Sequence, residues 1–442
     1  MQDYFLKLNR LVNTLLENTN EVILCHFSGE LSDFVRFNHG KIRQVGSVEQ
    51  RVIELELIQG KRSSHGHLDL TGELETDEQR LKALLFKLRE HIAYLPEDPH
   101  LNYSTEIHNT GAVMPNDLHD AKDIVADILR DVEDTDFVGH YAGGAIFSGF
   151  FNTLGQVNWQ NTYSFNLDWS LYHTKDKAVK NAYAGFQWNS VTFLDKMRES
   201  KQQLDILKRD PMTIKPGQYK VFLAPAALHE IISLLCWGGF SNRDLQTKQS
   251  PLLRMQEDKS CQLHPSVTIR ENMEHGVAPS FQEQGFLRPQ YLNLIEQGKL
   301  KNTLISPRTA KEYNLTTNGA NGHESPVSID MQPGEFSQKE ILKELGTGVY
   351  INNLWYLNYS DRTACRITGM TRFASFWVED GEIVAPLNVM RFDESLYNLL
   401  GSNLIALTRE REFIMDTDTY EKRSVVSARL PGALIDRFNF TL

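Results

Sequence analysis

Four cysteines in 442 residues, none of them in a CxxC pair, are too few for a disulfide scaffold and make no zinc knuckle. Cys25, Cys236, Cys261 and Cys365 are expected as reduced, mostly buried thiols. Long apolar runs are also missing. The longest, residues 224–240, is interrupted by His229 and Glu230 and falls short of the ~20 residues of a membrane span. The opening MQDYFLKLNR carries acidic and polar residues where a secretory leader needs an apolar core, so a cytoplasmic location with no membrane partner is expected. Positive charge is in deficit: 46 Lys and Arg stand against 57 Asp and Glu, a net −11. Such a surface repels phosphate backbones, which excludes nucleic acid as a general partner. There is no GxSxG elbow. The Gly143-Gly144 and Gly149 run lacks the Lys-Ser/Thr of a phosphate-binding loop, and a glycine-driven sheet corner is the expectation there.

What is present is ordinary globular composition, 41% hydrophobic and 23% charged, on a chain too long for one core. Two domains are expected, residues 1–210 and 211–442. Phe5, Leu8, Val12, Leu15 and Leu16 recur at helical spacing. Strand-like runs follow at 21–27, 32–37, 41–45 and 52–58, with turn chemistry at Ser28-Gly29 and Asn38-His39-Gly40. Leu81, Leu84, Leu85, Leu88 and Ile92 mark a second helix. Ile124, Val125, Ile128 and Leu129 mark a third, with Asn116 or Asp117 as its N-cap. A charged helix spans 191–207. The pattern predicts an α+β fold: helices on an antiparallel sheet in the N-terminal domain. The second half reads as β-rich, with strands at 290–295, 299–305, 348–354, 374–379 and 382–385, and hairpins at Gln297-Gly298 and Asp380-Gly381. Residues 314–334, rich in Pro, Gly, Asn and Ser, read as a long surface loop or lid.

The chemistry on offer is sparse. His229-Glu230 lies on an expected helix, 226–236. A zinc peptidase would need a second imidazole about one turn later, yet Ser233 and Leu234 stand there. One His cannot hold a catalytic zinc, so the bland alternative is a His-Glu pair at a pocket or interface. His65-Gly66-His67 offers a weaker chelate from a loop. Cys365 would need a group lowering its pKa to act as a nucleophile, and Arg362 and Arg366 are near it in sequence. The segment 354–376 interleaves aromatic and polar residues where a core strand would alternate Val and Ile. Asn353, just before it, and Trp355, Tyr356, Tyr359 and Arg362 within it are the candidate substrate-binding residues, a subunit interface being the equal alternative.

Several blocks, taken in order along nearly the whole chain, resemble the TldD/PmbA family of peptidase-like proteins. They are SDFVRFNHGKIRQVG (32–46), FQEQGFLRPQYLNLIEQGKLKNTLISPRTAKEYNL (281–315), GTGVYINNLWYL (346–357), FWVEDGEIVAPLNVMRFDESL (376–396) and SARLPGALIDRFNF (427–440). The resemblance implies an N-terminal α/β domain, a C-terminal β-rich, barrel-like domain, and dimers enclosing the active site. In that family TldD-type subunits carry HExxxH and a distant Cys as zinc ligands, whereas PmbA/TldE-type subunits lack them and pair with a TldD-type partner. Here His229 and Glu230 match the start of the motif, Leu234 replaces its final His, and no Cys lies in 412–416. The implied function is a zinc-free subunit of a two-component metallopeptidase acting on unfolded or extended peptides, itself without a cofactor. Two alternatives stand beside it. One is a metallopeptidase in its own right, taking His264 or Cys365 as further ligands; the other is a homodimeric, non-hydrolytic peptide-binding protein.

Overall fold

The computed structural model describes residues 1–17, 20–174, 177–258 and 260–441. Phe5, Leu8 and Val12 share one face of helix α1 (Gln2–Thr14), and all three are fully buried. They cover a sheet made of β1 (Glu21–Asn38), β2 (Lys41–Gln59), β3 (Arg62–Asp69), β4 (Thr110–Val113), β5 (Asp136–Asn152), β6 (Val157–Thr174) and β7 (Lys177–Gly185). Its order is β3-β2-β1-β5-β6-β4, with β7 also on β6. All pairings are antiparallel except β4 with β6. Helix α2 (Leu74–Ile92) lays Leu81, Leu85 and Leu88 beside α1. On that face β1 presents Ile23, Cys25 and Phe27, and β2 presents Ile53, Leu55 and Leu57, at the strand period of two. Each such side chain contributes about 1.5–3 kcal/mol by leaving water, so this face is closed. The opposite face carries Leu24, His26, Glu54 and Glu56, and is only partly covered by the second half of the chain, notably by Phe281 against Leu24, Ile58 and Phe150.

Helix α3 (Ala121–Val132) closes the far end, and α4 (Ser190–Leu207) joins the two halves. Phe193 and Met197 of α4 share one core with Trp169 of β6 and with Phe222, Tyr350 and Phe376 from the second sheet. Among the described residues that sheet has thirteen strands. They begin with β8 (Gly217–Leu223), β9 (Ile269–Asn272), β10 (Tyr291–Glu296), β11 (Lys299–Leu300), β12 (Ser328–Met331) and β13 (Gly348–Ile351). The hairpin β14 (Leu354–Asp361) and β15 (Arg366–Thr371) follows, then β16 (Ser375–Glu379), β17 (Glu382–Pro386), β18 (Arg391–Ser395), β19 (Leu404–Met415) and β20 (Ser427–Phe440). The main path is β11-β10-β9-β12-β20-β8-β13-β16-β17, and a side branch β14-β15-β18 returns to β20. The sheet is barrel-like without closing. Helix α5 (Pro225–Cys236) packs on it through Ile231, Ile232 and Leu235, beside Val221, Leu430 and Ile435. Among the described residues no helix is long and apolar enough to cross a membrane.

The α+β fold and its antiparallel first sheet agree with the pattern, but several details differ. The runs at 21–27 and 32–37 are one strand. Ser28 and Gly29 pair through on both sides, with Val52 and Arg51 and with Ser148 and Phe147. Gly29 therefore lies mid-strand with no turn, where an added Cβ would sit 3.3 Å from the Phe27 ring. The runs at 41–45 and 52–58 likewise fuse into β2. The glycines at 143, 144 and 149 lie inside the uninterrupted strand β5 rather than at a corner. The N-cap of α3 is Asp120, not Asn116 or Asp117. His65-Gly66-His67 belongs to β3, not to a loop. The strand expected at 299–305 stops at Leu300, and the surface loop expected at 314–334 is one only as far as residue 327, with Leu315, Thr316, Gly322 and His323 exposed; its end forms β12, buried between β9 and β20.

Candidate functional site

Pro225 opens α5 at the position where its missing N–H costs nothing. Leu228, Ile231, Ile232 and Leu235 take the core-facing stripe, which leaves His229 and Glu230 half-buried at its edge. Two residues from distant elements act on this pair: Lys180 of β7, and Asp416 just beyond β19. Burial lowers the His229 imidazole to about 4; Asp416 opposes that and Lys180 adds to it. Burial likewise pushes the Glu230 carboxyl up, against the pull of Lys180. At neutral pH the imidazole is therefore uncharged.

His229 Nε2 lies 3.2 Å from the Ser233 hydroxyl. The next residue, where the second imidazole of HExxxH would stand, is Leu234. It packs against the core, and its carbonyl accepts a hydrogen bond from the Tyr359 hydroxyl at 3.1 Å. Among the described residues no group of three or more His, Cys, Asp or Glu could hold a metal ion. The donor set around His229 does not fit a zinc centre, which asks for about three protein ligands. His264 and Cys365 are not among the groups acting on His229. The His264 ring hydrogen-bonds Ser266 at 2.8 Å. Cys365 is fully buried at the β14–β15 turn, and burial pushes its thiol up to about 12, the opposite of an activated nucleophile.

The five residues singled out in 353–362 separate into two kinds. Arg362 is committed to the protein: it donates to the Gln249 and Trp237 carbonyls at 2.8 and 3.0 Å and stacks over Tyr359. Tyr359 is tied to Leu234 as described. Asn353 is buried, and its side-chain oxygen accepts from Asn352, whose amide also donates to the Lys180 carbonyl at 3.0 Å. Trp355 and Tyr356 face solvent at 41% and 74% exposure, with the Arg372 guanidinium 4.1 Å from the Trp355 ring. The Lys180 backbone carbonyl holds Asn352, and through it Asn353, while its charge acts on the His229-Glu230 pair; Trp355 and Tyr356 remain exposed. Lys180 escaped sequence reasoning because nothing local marks a strand lysine as facing a helix from the other half. Asp416 lies in 412–416, where the resemblance puts the family's distant Cys, yet no spacing rule ties it to His229.

A family model described as the PmbA/TldA metallopeptidase C-terminal domain matches residues 216–442. Comparison with curated proteins gave no match. Among solved structures the chain is similar to TldE from Thermococcus kodakarensis, 14% identical with a TM-score of 0.80, covering 99% of this chain and 100% of that one. It is also similar to a candidate modulator of a DNA gyrase from Thermotoga maritima MSB8, at 15% identity and a TM-score of 0.76 over 100% of both chains. A third, a candidate modulator of DNA gyrase from Bacteroides thetaiotaomicron VPI-5482, is 15% identical with a TM-score of 0.72 over 98% of both chains. At these identities the likeness fixes the fold alone.

Proposed function

Because the chain belongs to the TldD/PmbA family of metallopeptidase-related proteins, we propose that it is the PmbA/TldE-type, zinc-free subunit of a cytoplasmic two-component metallopeptidase. It completes a chamber for unfolded or extended peptides, and zinc resides in a TldD-type partner. The observation that carries this reading is Leu234, half-buried against the core at the position where the motif needs a second imidazole beside His229. Exposed Trp355 and Tyr356, beside the Asn352–Lys180 link, lie on the path of the substrate. The division into residues 1–210 and 211–442 belongs to the same proposal; Pro211 and Pro216, between α4 and β8, support it.

Co-expression with a TldD-type subunit is expected to give a stable hetero-oligomer that hydrolyses peptides, whereas the chain alone is inactive and carries zinc far below one per chain by elemental analysis. Near-stoichiometric zinc that is lost in His229→Ala would instead make the chain a metallopeptidase in its own right. A partner that cuts equally well without this chain would refute the helper role.

A further inference from the structure

Side chains from β7, from the β13–β14 connection and from the end of β15 meet beside the start of α5. The Ala224 N–H donates to the Ile351 carbonyl at 2.9 Å, which sets the start of α5, uncapped by any side chain, next to Asn352. The Asn352 N–H donates to the Ala374 carbonyl at 3.0 Å. Its side-chain amide donates to the Lys180 carbonyl and to Asn353 Oδ1, both at 3.0 Å. Phe373, the neighbour of Ala374, joins two cations: its ring centre is 6.0 Å from Lys180 Nζ and 5.5 Å from the Arg372 guanidinium.

Three donors converge there, and each lacks an acceptor. Asn353 is only 6% exposed, and its oxygen is taken by Asn352. Its Nδ2 donates to no group among the described residues, yet it is not one of the atoms sealed from solvent, so it opens outwards. A side chain this buried ordinarily has its polar atoms matched within the protein. Lys180 and Arg372 are half-buried, and among the described residues neither makes an ion pair or a side-chain hydrogen bond, although acids outnumber bases 57 to 46. Asp168 and Glu230 feel the charge of Lys180, but burial pushes both carboxyls up, so they neutralise it poorly. Arg372 lies 4.1 Å from the centre of the Trp355 ring, a contact that uses the face of the guanidinium and leaves its in-plane N–H groups for a two-point bond.

Two unpaired cations and one unpaired amide donor fit an oxygen anion and repel a cation. We propose that Lys180, Arg372 and Asn353 hold a carboxylate of an extended peptide, with exposed Trp355 and Tyr356 flanking the chain that carries it. This rests on the reading of the chain as a peptide-handling subunit and names the group on the peptide that the site grips. The carboxylate is either the C-terminus or an Asp or Glu side chain, and the test separates the two.

Three labelled peptides of Ala, Leu and Gln are titrated with the full chain by fluorescence anisotropy: one with a free C-terminus, one amidated there, and one amidated with an internal Glu. The free acid is expected to bind about tenfold tighter than the plain amide, with the gap narrowing in high salt. Lys180→Gln and Arg372→Gln together should bring the free acid down to the plain amide. They should leave the thermal midpoint in place, since neither side chain makes a polar contact among the described residues. Asn353→Asp, which sets a carboxylate where the amide donated, should weaken the free acid below the plain amide. A Glu peptide that binds like the free acid supports a site for any carboxylate; one that binds like the plain amide supports a site for the terminus. Equal binding of all three, or a gap that survives the double variant, overturns the carboxylate site and leaves peptide handling standing. Failure of every peptide to bind overturns both. Displacement of the free acid by inorganic phosphate, at concentrations where acetate has no effect, would mark a phosphate site and overturn the peptide assignment.

Discussion

Replacing Glu324 by Ala should cost about 3–5 kcal/mol of stability, and replacing it by Gln about half as much, read as a lower urea midpoint at unchanged slope. The side chain is fully buried. One oxygen accepts from the Ser241 hydroxyl at 2.7 Å and the Arg243 N–H at 2.8 Å, and the other from the Ser306 N–H at 2.8 Å. Ser241 and Ser306 are the N-caps of two short helices, Asn242–Gln246 and Pro307–Tyr313. A single carboxylate therefore serves two helix starts, whose first N–H groups have no partner within their own helix. Ala strands these donors in a dry site. Gln keeps one acceptor but turns its own N–H groups towards donors. Burial pushes the Glu324 carboxyl up, but hydrogen bonds from Thr309, Arg243, Ser306 and Ser241 outweigh it and hold the carboxyl below its ordinary 4.5. A folded-state value below the unfolded one means that the stabilisation is whole at neutral pH and is lost as pH falls through the folded value. The difference between the wild-type protein and Glu324→Gln should therefore be flat near pH 7 and shrink on acidification below about 4.5. A difference that persists unchanged in acid would show that the carboxylate's charge contributes nothing.

Glu324 lies in the stretch whose Pro, Gly, Asn and Ser content reads as a surface loop. Composition reports only the local backbone, whereas what orders this stretch comes from far away in the chain: the two helix starts and the β9 and β20 neighbours of β12. The same division runs through the whole molecule. Phe5, Leu8 and Val12 were legible because helical spacing is a local property. The turns at His39-Gly40, Gln297-Gly298 and Asp380-Gly381 were legible because positive φ at both positions selects such residues, and all six show it. Ser28-Gly29 carries turn chemistry yet runs straight through β1, because pairing with β2 on one side and β5 on the other overrides it. At the candidate site, His229 and Leu234 were readable together since both sit on α5, five residues apart. Lys180 and Asp416 reach the site only through the packing of β7 and β19, which no spacing encodes. In the same way Glu54, Glu56, His65 and His67 become one surface only when β2 and β3 pair.

Gly144→Ala should be about as damaging as the loss of Glu324, and its cause is backbone contact. Gly144 has φ +143, and an added Cβ would overlap the Leu31 carbonyl oxygen and lie 2.8 Å from Ser32 Cα, so β1 and β5 must separate to admit one methyl. A cost of about 3–5 kcal/mol is expected, seen as a lower thermal midpoint and a smaller soluble yield. The close approach also places the Gly144 carbonyl 3.3 Å from Arg423, whose guanidinium is buried and donates to the Ser164 carbonyl and hydroxyl at 2.8 Å and to the Ser32 hydroxyl at 3.2 Å. Arg423 stands between β19 and β20, so one side chain anchors that connection to β1, β5 and β6. Arg423→Ala leaves those acceptors unpartnered and should cost about 3 kcal/mol. It should also open residues 416–426 to limited proteolysis, which Gly144→Ala does only in proportion to global unfolding. The two substitutions share an acceptor, so the double variant should lose less than the sum of the singles by about 0.5 kcal/mol or more. Strict additivity would mean that Arg423 is held by Ser164 and Ser32 alone, and that the tight crossing at Gly144 serves the sheet rather than the loop above it.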